Sequence, residues 1–285
     1  MAIKSETVKL LRDKTGAGMM DCKKALEVSE GDMEKAIEYL RKKGAATAEK
    51  RADRAANQGI IVTKISEGSK RGTVVEINCE TDFVARSGDF VNFAVAVTEL
   101  VAVKTPASVD ELMAMPYDAS RTVAVALTEL VGKIGEKLAI RRFEIINATA
   151  GVVEAYTHMG SKIGVLVELA AGAPAADHQI LARDIAMQIA AMNPSVVARE
   201  EVKKDVIERE LEIYRQQAKN EGKPDQVVDR IANGKLEKYY QDVVLLEQSF
   251  IKDATKAIKE VVQEASKKLN DQIAVRRFLR YQLGE

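Results

Sequence analysis

The chain repeats itself. Gly59-Ile60-Ile61 is matched by Gly151-Val152-Val153, Gly68-Ser69-Lys70 by Gly160-Ser161-Lys162, Gly72 by Gly164 and Glu76 by Glu168, all at an offset of 92 residues. One offset held across four separate stretches marks a duplicated structural unit. Each copy reads as strand, glycine turn, apolar strand and then a helix, around Phe90 to Val103 in the first and Ile180 to Met192 in the second. Each closes with a helix and a strand of one signature, Ala139-Ile140-Arg141-Arg142-Phe143 and Ala274-Val275-Arg276-Arg277-Phe278, at an offset of 135. The two offsets differ by 43, so the second copy carries roughly that many extra residues.

The extra residues fall at about 199–240, a strongly charged stretch of helical pattern. One arm carries Val202, Val206, Leu211 and Tyr214, and the other Val227, Val228, Ile231 and Leu236. Between them, Glu221-Gly222-Lys223-Pro224 supplies a C-cap glycine and then an N1 proline. Two arms with narrow apolar seams predict an antiparallel helical hairpin projecting from the core.

Ahead of the repeats, residues 4–44 read as three short helices. The first carries Val8, Leu10 and Leu11 and stops at Thr15-Gly16; the second spans about Met19 to Val28. The third opens at Asp32 as N-cap and carries Ala36, Ile37 and Leu40 before Gly44. Three helices in some 40 residues fit a bundle of the ubiquitin-associated type. Residues 45–58, rich in Ala and charge, read as a partly helical linker. The expected fold is α+β: a three-helix bundle (1–44), a linker (45–58), a first sheet-and-helix core subdomain (59–148) and a related second one (149–285) bearing the hairpin.

The 285 residues carry 43 Lys+Arg and 43 Asp+Glu, so no broad nucleic-acid footprint is expected. Cys22 and Cys79 lie far apart, have no metal-ligand spacing and read as buried reduced thiols. No apolar run reaches the ~18 residues that would span a membrane. The start, Met1-Ala2-Ile3-Lys4, has no signal-peptide character. Cys22, Cys79 and His178 form no nucleophile–base–orienter set, and no phosphate loop or dinucleotide fingerprint is visible.

Two runs stand out. Thr81-Asp82-Phe83-Val84 follows the strand-like stretch Thr73 to Cys79 at its exit. Read alone, it makes Asp82 the N-cap of a helix and Phe83 a core residue. The alternative is a protruding carboxylate–aromatic pair, one member drawn to a metal or a helix N-terminus and the other wedging into an apolar gap. The second run, Thr15 to Leu26, places Met19 and Met20 side by side at a helix start, where both cannot face a three-helix core. Either an adaptable contact surface or packing against the linker answers this. In Lys133-Ile134-Gly135-Glu136, the glycine falls inside a helix-like stretch from Leu127 to Leu138, at a cost of about 1 kcal/mol relative to Ala. A kink or the close approach of another backbone would account for it. His158, before Met159-Gly160, reads as a solvated turn residue.

The runs TGAGMMDCKKAL and NCETDFVA together resemble the elongation factor Ts family, and the resemblance extends from about Val8 to the C-terminus. Members are guanine-nucleotide exchange factors of the translation GTPase elongation factor Tu. The resemblance implies binding to elongation factor Tu in its GDP-bound and nucleotide-free forms, without covalent catalysis and without a cofactor. It implies that Thr81, Asp82, Phe83 and Val84 disturb the partner's Mg²⁺ site, and that Met19, Met20, Lys23, Ile134, Gly135 and His158 contact the partner. It further implies a cytoplasmic protein with no direct nucleic-acid or membrane partner; self-association is compatible with it. Two departures from the family pattern stand out. Met159 separates His158 from Gly160, and Ser249 and Ala254 stand where members often have proline. The rival expectation is a non-catalytic scaffold that binds through the leading bundle alone.

Overall fold

The computed structural model describes residues 3–172 and 176–285. The leading bundle consists of α1 (Ser5–Thr15), α2 (Met19–Val28) and α3 (Met33–Arg51). Leu11, Cys22, Ala25, Leu26 and Ala36 meet at its centre with no exposure. Asp32 caps α3, its carboxylate accepting the Glu34 and Lys35 N–H groups at 3.0 Å.

The first repeat contains β1 (Gln58–Ile65), β2 (Arg71–Cys79), α4 (Asp82–Ala85), α5 (Gly88–Lys104), α6 (Val109–Ala114), α7 (Val123–Ile134) and β3 (Leu138–Asn147). Its sheet is antiparallel in the order β1-β2-β3. The second contains β4 (Val152–His158), β5 (Ile163–Ala170), α8 (Ala176–Met192), α9 (Lys204–Asn220), α10 (Asp225–Val243), the short β6 (Ser249–Phe250) and β7 (Asp253–Ala257), α11 (Ile258–Leu269) and β8 (Ala274–Gln282). Its main sheet is antiparallel in the order β4-β5-β8. The copies match in detail. α7 and α11 coincide end to end at the 135 offset, and both end on a left-handed residue, Gly135 (φ 79°) and Asn270 (φ 49°). In each sheet the closing strand bulges beside the buried glutamate of the central strand: Glu76 pairs with Arg142 and Ile77 with Ile140, leaving Arg141 over, and Arg276 is left over in the same way beside Glu168. Each glutamate is paired at 2.7 Å with the arginine of the closing signature, Arg142 or Arg277, which answers the cost of burying a carboxylate.

The two sheets pack face to face. Their shared core is Ile61, Val74 and Ile146 from one copy and Val153, Leu166 and Tyr281 from the other. These are three equivalent pairs in the repeat alignment, so the copies meet as the halves of a two-fold dimer do. The outer faces are covered by helices, α5 and α7 on one side and α8 and α11 on the other. Among the described residues, no helix is long and apolar enough to cross a membrane.

Three local readings differ from expectation. First, α3 does not stop at Gly44. It continues to Arg51, and Gly44 is buried against α7, where a Cβ on Gly132 would lie 2.8 Å from Gly44 Cα. Two glycines here let the helix backbones touch. Second, Pro224 is the N-cap of α10 rather than its first helical residue. Third, the hairpin seam on α10 runs through Val228, Ala232, Leu236 and Tyr240, each four residues from the next. That register turns Val227 and Ile231 partly away.

Candidate functional site

Strand β2 ends at Cys79, and Thr81 caps the single turn of α4, its hydroxyl accepting the Val84 N–H at 3.4 Å. The cap is therefore Thr81, not Asp82. This one-residue shift makes Asp82 and Phe83 the first helical positions and turns Ala85 into the core. Phe83 is 80% exposed, so the reading of it as a core residue is overturned. Asp82 pairs with Arg86 one turn on, and Arg86 Nε donates to the Asp82 carbonyl at 3.2 Å. A large ring held in water on a rigid turn forgoes the ~2 kcal/mol that burial would return, which marks it as a contact surface.

Met19 and Met20 are 56% and 73% exposed at the start of α2. Neither packs away against the segment after α3. The same helix turns Cys22, Ala25 and Leu26 inward. Lys23 is exposed and sits 3.9 Å from Glu27. Gly16, Gly18 and Met19 of the bundle line one groove of about 430 Å³ together with Phe83, Val84 and Ile134. The fold thus gathers three segments that lie far apart in sequence.

Gly135 is not inside a helix. It is the left-handed C-cap of α7, where glycine adopts φ 79° without strain, so the supposed mid-helix cost does not arise. Among the described residues, nothing lies within 4 Å of where its Cβ would be, so none of them brings a backbone up to it. His158 ends β4, exposed, with Nδ1 2.8 Å from the Tyr156 hydroxyl and the two rings stacked at 5.7 Å. It stands apart from the Phe83 groove. Its turn, through Gly160 and Ser161, lines a second groove of about 490 Å³ with Ala85, Arg86 and Val91. The turn after β6 is held by buried Gln188, which accepts the Ile251 N–H at 2.8 Å and donates to the Ser249 carbonyl at 3.1 Å.

Two carboxylates that sequence reasoning passed over organise the corner. Glu80 accepts the Lys137 N–H at 2.6 Å and the Arg51 and Arg54 guanidinium groups at 2.8 and 3.0 Å. The Lys137 amide first, and then the two arginines, hold its pKa down at about 2. Glu136 accepts the Thr81 N–H at 3.0 Å and the Thr81 hydroxyl at 2.7 Å. Burial, with Glu136 nearby, pushes the Cys79 thiol up to about 12. Cys79 is therefore a neutral thiol, donating to the Thr81 carbonyl at 3.1 Å, and no nucleophile. The surface has exposed apolar anchors and fixed charges, and it suits protein recognition.

A family model described as elongation factor TS matches residues 80–285. Proteins named elongation factor Ts match along the chain. That of Chloroherpeton thalassium is 51% identical over 288 residues, 99% of each chain. That of Prosthecochloris aestuarii is 50% identical over 285 residues, again 99% of each. That of Clostridium perfringens strain SM101 is 48% identical over 283 residues, 99% of this chain and 93% of the relative. The chain belongs to the elongation factor Ts family. It is a translation elongation factor of the bacterial type, acting in protein biosynthesis.

Proposed function

We propose that this chain binds elongation factor Tu·GDP in the cytoplasm and promotes GDP release, so that GTP can load. The observation that carries the reading is Phe83, 80% exposed beside Asp82 on a capped, one-turn helix. A ring presented in this way can enter an apolar gap between partner helices, while Asp82 offers a carboxylate at the same point. Bound Mg²⁺ demands near-ideal octahedral geometry and leans on few protein ligands. Small shifts in the partner's helices would therefore degrade its hold on Mg²⁺ and on the GDP phosphates. Met19, Met20 and Lys23 on the bundle, Ile134 and Gly135 at the end of α7, and His158 on the second repeat would supply binding around that point. Thr81 and Val84 would fix the backbone that presents the pair.

The action is displacement by binding, so linkage governs it. GDP and this chain must weaken each other's binding to the partner by the same factor. A scaffold that bound through the bundle alone would have no use for an exposed Phe83. The test is release of labelled GDP from purified elongation factor Tu, with and without this protein. An unchanged release rate would rule out exchange.

A further inference from the structure

We propose that Glu136 and Glu80 are positioning residues for exchange. Together they form a reciprocal carboxylate clamp that holds the corner presenting Asp82-Phe83 against the corner presenting Ile134-Gly135. The proposal rests on the exchange reading above.

The last ladder pair of β2 and β3 is Cys79 with Leu138. Beyond it, ordinary sheet pairing ends and the two chains would diverge. Instead, each sends a carboxylate across. Glu136 takes both the amide and the hydroxyl of Thr81, at 3.0 and 2.7 Å. Glu80 takes the amide of Lys137 at 2.6 Å. Bonds to ionised acceptors are the stronger kind, and a two-point contact fixes direction as well as distance. Phe83 lies two residues after Thr81, Ile134 lies two residues before Glu136, and both line the same groove.

The clamp also reaches the leading bundle. Glu80 draws in Arg51 and Arg54 from the end of α3 and just beyond it, and Lys137 Nζ donates to the Ala52 carbonyl at 2.6 Å. Along the same α3, Gly44 is seated against Gly132 of α7. The helix that anchors the Met19–Met20 bundle is thus tied at two levels to the element ending in Ile134. Neither carboxylate is needed to start α4, which Thr81 caps, or to pair the strands, which the ladder does. What they add is a fixed separation between three groups of contact residues, and an interaction realised only in the strained complex gains from such preorganisation.

The experiment compares the full chain with Glu136→Ala, Glu136→Gln and Thr81→Val. The partner-free readouts are amide exchange at Thr81 and the melting temperature. The partner readouts are the maximal rate of GDP release from elongation factor Tu and the concentration giving half that rate. Glu136→Ala is expected to speed Thr81 amide exchange and to lower the maximal release rate about tenfold, the scale of one charge-assisted hydrogen bond. The half-saturating concentration should move less than about threefold, because the exposed anchors remain. Glu136→Gln, which keeps one acceptor oxygen, should fall between. If Glu136→Ala does not fold, Glu136→Gln and Thr81→Val carry the same comparison. A wild-type maximal rate in a folded variant with a freed Thr81 amide overturns the proposal, as does a change confined to the half-saturating concentration. Failure of the unsubstituted protein to release GDP would instead overturn the exchange reading, and the amide exchange would still show whether the clamp holds the corner.

Discussion

Gly164 lies against Ile61: a Cβ on the glycine would fall 2.4 Å from Ile61 Cγ2. The mirror contact exists as well, for a Cβ on Gly72 would fall 2.6 Å from Val153 Cγ1. Gly72 and Gly164 are repeat equivalents, and so are Ile61 and Val153. Each glycine is the recess into which the other copy's branched side chain packs. Arg142 and Arg277 complete the exchange, donating across the interface to the Gln282 and Asn147 carbonyls at 3.4 and 3.3 Å.

Gly164→Ala should therefore destabilise the protein by about 1–3 kcal/mol, the usual cost of forcing a methyl into a filled interior. Ile61→Ala should also destabilise when made alone. Combined, the two should cost less than their sum, because the second change removes the atom that the first one strikes. Urea unfolding of the four proteins of this cycle measures the coupling. Strict additivity would show that the sheets do not interlock at this point.

Phe83→Ala should separate stability from exchange. An 80% exposed ring contributes little to the fold, so unfolding free energy should stay within about 0.5 kcal/mol of the parent. Asp82→Ala removes a surface pair with Arg86 at i,i+4 spacing, worth about 0.3–0.5 kcal/mol. Both should slow GDP release from elongation factor Tu much more than they weaken the complex. Unaltered release in both variants would reduce the corner to a capped helix start.

The repeat register, the bundle and the hairpin were legible because each leaves a local mark: a fixed offset, an apolar period, a cap. What faces what was not. Nothing in the sequence says that Ile61 packs on Gly164, or that Glu136 reaches Thr81, since these pairs lie far apart along the chain. Some misreadings had a local signal that pointed two ways. Thr81 and Asp82 are both good caps, and the end of β2 at Cys79 decides between them. Gly44 follows basic residues, as a helix stop would, but its lack of a side chain serves the contact with Gly132. Gly135, after Lys133 and Ile134, fits the pattern of a left-handed C-cap, and its equivalent Asn270 adopts the same conformation.

Acid should test Glu80. Its pKa is about 2 in the folded protein, against an ordinary value of 4.5. A depressed carboxylate contributes stability above its unfolded pKa and loses it as pH falls through the folded one. The contribution should be complete above about pH 5 and gone near pH 2. Glu80→Gln lacks this term, so the gap in urea midpoint between it and the parent should be widest near neutrality and close on acidification. Parallel curves across that range would show that the Lys137 amide and the two arginines do not hold the charge.

The hairpin should be separable above its base. Arg215 Nε meets Asp229 Oδ1 at 2.7 Å and Lys235 Nζ donates to Gln217 Oε1 at 3.0 Å, which tie the two arms together at the level of their outer half. Below that level the hairpin merges with the core. Arg199 binds Glu237 and Glu247 and stacks over Tyr240 at 4.1 Å, while Val244 and Leu245 are buried. Replacing residues 215–231 with a short Gly-Ser linker should leave the melting temperature within about 3 °C of the parent, because closing a short loop costs little and the apolar layer of Leu211, Tyr214, Leu236 and Tyr240 at the base remains. Arg199→Ala touches a single side chain but should destabilise more, by about 1–3 kcal/mol, since it strands the partly buried Glu247 carboxylate. GDP release by the trimmed protein should keep most of its rate, because the Phe83 corner belongs to the other repeat. Calorimetric melting and GDP release on both variants give the comparison. A trimmed protein that unfolds with the core, or an Arg199→Ala protein as stable as the parent, would show that the arms and not the base hold the second repeat together.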